Sequence, residues 1–156
     1  MELNFFACVR ITEAALPHIK RAKGLIVPVA SVAGFTGVPT RTLYAASKHA
    51  LVGFFESLRV ELRGSGVDIT LIAPDFVVTE IHARAMGADG TAIGHGKLDP
   101  RKVMTAEACA RLIAKAMQKR QRLLITSARG RSGRWLKLLA PGLVDRIAAR
   151  AVARRV

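Results

Sequence analysis

Apolar positions along this chain alternate between long stretches at helical spacing and short continuous runs. Residues 41–63 carry Leu51, Phe54, Phe55 and Leu58 on one side and Glu56, Arg59, Glu61 and Arg63 elsewhere, which predicts a helix stopped by Gly64-Ser65-Gly66. Residues 1–22 predict another helix, with Leu3, Phe6, Val9, Arg10, Thr12, Ala15, Leu16 and Ile19 as its mostly apolar face. Pro17 should bend it or end its regular part, and Lys20 to Lys23 finish it before Gly24. Leu25 to Ala30 and Val67 to Ala73 are apolar runs too short for helices. They fit strands buried on both faces of a parallel sheet. Pro28 is awkward there, because it removes a ladder donor.

Strand, helix, strand forms a right-handed crossover in nearly every known case, which makes the sheet parallel. After Pro74 the pattern weakens. Residues 75–105 hold Gly87, Gly90, Gly94, Gly96 and Pro100, and predict a long loop after a short helical turn near Glu80 to Ala85. Thr105 is a suitable cap for a helix reaching about Arg120, followed by a short strand at Leu123 to Thr126. Gly130 to Gly133 reads as a turn, and Arg134 to Val156 as helix broken at Pro141-Gly142. This gives a main region, 1–133, and a basic amphipathic helical segment, 134–156.

Composition sharpens that division. Of 156 residues 51% are apolar, so the chain can bury a core and does not belong with disordered sequences. The net charge of +14 is uneven: residues 1–96 hold 9 Lys/Arg against 8 Asp/Glu, whereas residues 97–156 hold 16 against 3. In the last segment Trp135, Leu136, Leu138, Leu139, Leu143, Val144 and Ile147 alternate with Arg134, Lys137, Arg146, Arg150, Arg154 and Arg155. Such a helix suits an anionic membrane surface, the body of the domain or a second subunit.

Several function classes drop out. Cys8 and Cys109 lack the spacing of a zinc site or redox pair, and His18, His49, His82 and His95 share no ligand spacing, so no metal is expected. A single tryptophan and no aromatic platform argue against nucleic acid. No apolar run reaches the ~18 residues of a membrane span, and Met1-Glu2-Leu3-Asn4 has an acid where a signal peptide carries bases. A cytoplasmic protein is the expectation, with peripheral membrane contact through the last segment as the alternative to packing on the domain or a second subunit.

The chemistry concentrates between Ser31 and Lys48. Tyr44 follows Ser31 by thirteen residues, and Lys48 lies one helical turn beyond Tyr44, on the same face. A phenol titrates near pH ~10. A neighbouring ammonium favours the phenolate and makes tyrosine a usable acid/base. Ser31, at the carboxyl end of a predicted strand, can donate to a substrate oxygen where negative charge builds. The three roles fit proton transfer at a carbonyl or carbinol.

This constellation resembles the short-chain dehydrogenase/reductase family, in its hydroxysteroid dehydrogenase-like branch. Ser31-Val-Ala-Gly34, Tyr44-Ala-Ala-Ser-Lys48 and Pro74-Asp-Phe-Val-Val-Thr79 carry the resemblance, and Met1-Glu-Leu-Asn-Phe-Phe6 looks like the helix supplying the fourth catalytic residue, Asn4. The resemblance implies an NAD- or NADP-dependent oxidoreductase acting on a small alcohol or ketone, often as a homo-oligomer. Tyr44 would be the acid/base and Lys48 would hold the nicotinamide ribose. Ser31 would position the substrate oxygen, and Asn4 would support a water linking Lys48 to solvent. Pro74, Val77 and Thr79 would meet the nicotinamide end of the cofactor. The fold implied is α/β, the C-terminal part of a Rossmann-type three-layer parallel sheet without its first strands and Gly-rich pyrophosphate turn. On that reading the chain resembles a C-terminal half and should bind the cofactor poorly alone. Asp75 replaces the glycine usual after the proline, which puts an acid beside the expected cofactor position.

Overall fold

The computed structural model describes residues 1–78 and 103–153. A wide π-helical turn, Glu2–Phe6, runs into α1 (Ala7–Arg21), and β1 (Leu25–Ile26) and a 3-10 turn (Val32–Gly34) precede α2 (Thr42–Glu61). β2 (Asp68–Ile69), β3 (Leu71–Ala73) and β4 (Val77–Val78) follow. From residue 103 onward come β5 (Met104–Thr105), α3 (Ala106–Gln118), β6 (Leu123–Ile125), α4 (Ala128–Leu139) and α5 (Pro141–Ala153).

The strand pairs among the described residues are parallel, as the crossover argument requires. β1 pairs β2 with Leu25 opposite Asp68, and β3 pairs β6 with Leu71 opposite Leu123. A bridge between Val29 and Ile72 carries the first strand's line onward. Pro28 explains the interruption. Thr70 N donates to Ile26 O, Ile72 N to Pro28 O and Ala30 N to Ile72 O. In that alternation the bond from residue 28 to the Thr70 carbonyl has no donor, so the ladder breaks there.

The core lies where α2 meets the sheet. Leu51, Val52, Phe55 and Leu58 pack with Ile26, Ala30, Val67, Ile69 and Leu71, and Phe5, Cys8, Leu16 and Ile19 are laid against them from the N-terminal helix. Leu51 and Phe55 are almost fully enclosed, each contributing about 1.5–3 kcal/mol by burial. Gly64 (φ 81°) and Gly66 (φ 79°) hold the left-handed conformations that end α2. Arg59, placed off the packed side by sequence, instead reaches Ile69 O and Arg122 O.

Three expectations are corrected. The N-terminal helix packs through Phe5, Cys8, Thr12, Leu16 and Ile19, while Leu3 is 82% exposed and Phe6 is exposed. Apolar residues on two sides of that helix left the face ambiguous. Of the two outcomes expected at Pro17, a bend or an end to the regular part, the end does not occur, since the helix continues to Arg21. Gly130 to Gly133 is no turn but part of α4, because Ser127 caps the helix by accepting from Gly130 N at 2.9 Å. A further pairing, Val77 with Met104, was hidden in the weakly patterned stretch. The helical turn expected at Glu80 to Ala85, most of the predicted loop, His82 and His95 lie outside the described residues. Among the described residues no helix is long and apolar enough to cross a membrane.

Candidate active site

Ser31 leaves the first strand's line in extended conformation and caps the 3-10 turn, its Oγ accepting from Ala33 N at 3.1 Å. The hydroxyl donates to Pro74 O over a long 3.4 Å, a contact easily exchanged for a substrate oxygen. Val32 N donates to the same carbonyl at 3.0 Å. The serine turn and the Pro74 turn are thereby tied together. Gly34 permits the turn to lie against α2, since a Cβ there would meet Lys48 O at 2.8 Å and Val52 Cγ2 at 2.9 Å.

Tyr44 stands in the first turns of α2 with its side 38% exposed. Among the described residues its hydroxyl has no hydrogen-bond partner, and no hydrogen bond joins it to Ser31. Lys48 follows one turn later, its Nζ 5.8 Å from the Tyr44 ring centroid and donating to Val29 O at 3.1 Å. The bridge pattern turns the Val29 carbonyl away from the second strand, toward the lysine. Burial draws the Lys48 ammonium below the ordinary lysine value, and the charge of Cys8 opposes the shift. A lysine so placed passes a proton more readily than a solvated one.

Asn4 reaches this group indirectly. Its Nδ2 donates to Ser47 Oγ at 3.3 Å, and Ser47 Oγ donates to Tyr44 O at 2.7 Å. Ser47 is buried, and it was missed as a site residue although it stands inside Tyr44-Ala-Ala-Ser-Lys48. Its signal was a serine three residues after the tyrosine, where a hydroxyl bonds back to the helix carbonyl. The π-turn holding Asn4 is a helical distortion frequent at functional sites.

Of the expected nicotinamide contacts, Pro74 adjoins Ser31 and Val77 begins β4. Thr79 lies outside the described residues. Asp75, expected beside the cofactor position, is engaged by the start of α4. Its carboxylate accepts from Ser127 Oγ at 2.6 Å, from Arg129 Nη2 at 2.8 and 2.9 Å, and from Phe76 N at 3.0 Å. Burial alone would raise this carboxyl, but the Arg129 and Ser127 hydrogen bonds, the Arg129 charge and the Phe76 N–H outweigh it and hold it below the usual range.

The "short chain dehydrogenase" family model matches residues 1–89, the stretch containing Asn4, Ser31, Tyr44, Lys48 and Pro74. A "Dehydrogenase/reductase SDR family protein 7-like" of Dictyostelium discoideum is 37% identical over 145 residues, covering 93% of this chain and 44% of the relative. The "Dehydrogenase/reductase SDR family member 7B" of Rattus norvegicus is 35% identical over 151 residues, covering 96% and 46%. The chain spans about half the length of these relatives. Among solved structures, a short-chain dehydrogenase from Sphingobium yanoikuyae in complex with NADPH superposes with a TM-score of 0.71 at 25% identity, covering 92% of this chain and 54% of that one. One from Burkholderia cenocepacia in complex with NADP gives 0.77 at 18% identity, covering 95% and 56%, and shows the shared fold. With the family model matching more than half of its length, over the segment that contains Ser31, Tyr44 and Lys48, this chain belongs to the short-chain dehydrogenase/reductase family.

Proposed function

We propose that this chain carries the proton-handling half of an NAD- or NADP-dependent oxidoreductase that interconverts a small secondary alcohol and its ketone. The observation that carries the reading is Lys48 Nζ, half-buried and 5.8 Å from the Tyr44 ring, with the phenol open to solvent. Tyr44 gives a proton to the carbonyl oxygen in reduction and takes it back in oxidation. Lys48 keeps the phenol poised by its charge, and Ser31 donates to the same oxygen. Asn4, through Ser47, steadies the backbone of the turn bearing Tyr44.

The donor set suits one end of a nicotinamide cofactor. Tyr44 has no partner for its hydroxyl among the described residues, and Lys48 has one protein acceptor, Val29 O, which leaves donors for ribose hydroxyls. Tyr44, Lys48, Pro74, Val77 and Thr79 are assigned to that end. The bound group supplies the hydride acceptor or donor. The connection from β1 to α2 holds Gly34 and Gly37 but is the serine turn itself, so the pyrophosphate is assigned no site on the described residues. The liganded neighbours from Sphingobium and Burkholderia support the choice of cofactor. The test is oxidation of a panel of secondary alcohols with NAD and NADP, followed by reduced-cofactor fluorescence. Turnover that survives both Tyr44→Phe and Lys48→Met overturns the reading.

A second reading rests on the outer face of the C-terminal segment, taken as the basic helical unit 134–156. Trp135, Leu138 and Leu139 are 65%, 69% and 83% exposed, with Leu143 and Ile147 also exposed beside Arg146 and Arg150. An apolar stripe flanked by cations supports peripheral contact with an anionic membrane, and through it a membrane-peripheral cytoplasmic location. Co-sedimentation with vesicles containing acidic lipid, lost on replacing Trp135, Leu138 and Leu139 by serine, is the expected result. Sedimentation that ignores both lipid charge and these substitutions sinks the idea.

A further inference from the structure

Three cations of α4, Arg129, Arg134 and Lys137, reach the two turns that frame Ser31. Arg129 forks onto the Asp75 carboxylate, whose side chain is 10% exposed, and the Arg129 guanidinium also lies 5.6 Å from the Phe76 ring centre. Asp75 N is held in turn by Thr126 Oγ1 at 3.0 Å. One turn along the helix Arg134 stacks 5.0 Å from the Phe35 ring centre, and Lys137 Nζ donates to Phe35 O at 3.1 Å. Between these charged contacts is Gly130. A Cβ there would meet Val32 Cγ1 at 2.5 Å and Ile125 Cγ2 at 2.8 Å, so only glycine lets the helix close on the residue next to Ser31.

We propose that α4 is a brace for the active site, in which Arg129, Gly130 and Lys137 are positioning residues that fix Ser31 from both sides. Force passes through Asp75 and Pro74, whose carbonyl receives Ser31 Oγ and Val32 N, and through Phe35 at the far end of the serine turn. The carboxylate that departs from the family's glycine thus serves as the anchor for a helix rather than as a group facing substrate. A bidentate guanidinium on a buried carboxylate gives both energy and a fixed angle, which lysine cannot reproduce. The brace rests on the reading of Ser31 as a site residue, but its geometry does not depend on turnover.

Amide hydrogen exchange of the protein tests it without reference to activity. Arg129→Gln and Asp75→Asn should each speed exchange at Phe76 N, which donates to Asp75, and at Val32 N, which donates to Pro74, by about tenfold, the factor that follows from losing a charge-assisted bond. Gly130→Ala should do the same at Val32. Thr70 N, bonded to Ile26 O in the core, should keep its protection in all three variants. Arg129→Lys should restore protection only in part. Tyr44→Phe should change none of these amides, whatever it does to alcohol oxidation, so loss of the brace and loss of the chemistry are told apart. Unchanged protection at Val32 and Phe76 in Arg129→Gln and Asp75→Asn, or a rise at Thr70 equal to theirs, overturns the proposal.

Discussion

Lys48 Nζ lies 5.8 Å from the centre of the Tyr44 ring while its proton is held by the Val29 carbonyl on the flank of the first strand. The lysine therefore spans two elements, the helix that carries the phenol and the strand that delivers Ser31. Removing the phenolic oxygen leaves this span in place. Tyr44→Phe is expected to lower alcohol oxidation by about 10²–10⁴-fold, the range for a positioned acid/base. Thermal unfolding should barely move, because the Tyr44 hydroxyl has no partner among the described residues to lose.

Lys48→Met should behave differently. It removes the charge beside the phenol and also strips the Val29 carbonyl of its donor. Turnover should fall as in Tyr44→Phe, but thermal unfolding should move as well, because the Val29 carbonyl loses its bond. Turnover unchanged in Lys48→Met would separate Lys48 from the proton transfer.

Ser47→Ala breaks the link from Asn4 to the Tyr44 backbone. Its hydroxyl is almost completely enclosed and makes bonds to both partners, so a loss of about 1–2 kcal/mol in a denaturant titration is expected. Asn4→Ala should remove one of the same bonds, and the double variant should cost less than the sum of the two.

Gly34→Ala forces a methyl against Lys48 O and Val52 Cγ2 at less than 3 Å. Because the obstacle is helix backbone, relief requires the serine turn to lift from α2. About 1–3 kcal/mol of stability should be lost, with activity falling further than stability alone explains. Gly53→Ala, where an added methyl meets nothing within 4 Å, is the matched control and should be neutral or slightly stabilising.

Asp75 gives a pH dependence whose sign follows from its lowered carboxyl. A carboxylate depressed in the folded state contributes stability that is complete above the unfolded value, 3.8, and is lost as pH falls through the lower folded value. The stability gap between the protein and Asp75→Asn should stay constant from neutrality down to the region of 3.8 and close below it. Arg129 is 73% exposed, and solvent screening keeps the gap near ~1 kcal/mol.

Much of this was readable in the chain. The spacing of Leu51, Phe55 and Leu58 located α2 and its buried side, since a helix with one apolar stripe has one way to dock. Tyr44 and Lys48 fell on one face for the same reason. Ser31 was found because a strand end followed by Gly34 must turn. The N-terminal helix was harder, because Leu3, Phe6 and Ile11 compete with Phe5, Cys8 and Leu16 and only the tertiary packing chooses between them. Asp75 was noticed as a departure, but its partner Arg129 lies 54 positions away and no local pattern joins them. The glycines of α4 pointed to a turn, whereas one of them is needed so that the helix can approach Val32.

The missing rung at Pro28 divides the first strand into two mechanical parts. Leu25 and Ile26 are locked to the second strand and the greasy interior, while Val29 and Ala30 rejoin it only beyond the gap, just before the serine. The segment that presents Val29 O to the lysine and Ser31 to its target is therefore moored separately, by Ile72 and by the Pro74 turn that receives Val32 N. A fault in those moorings would shift the serine while the packing around Phe55 stayed undisturbed.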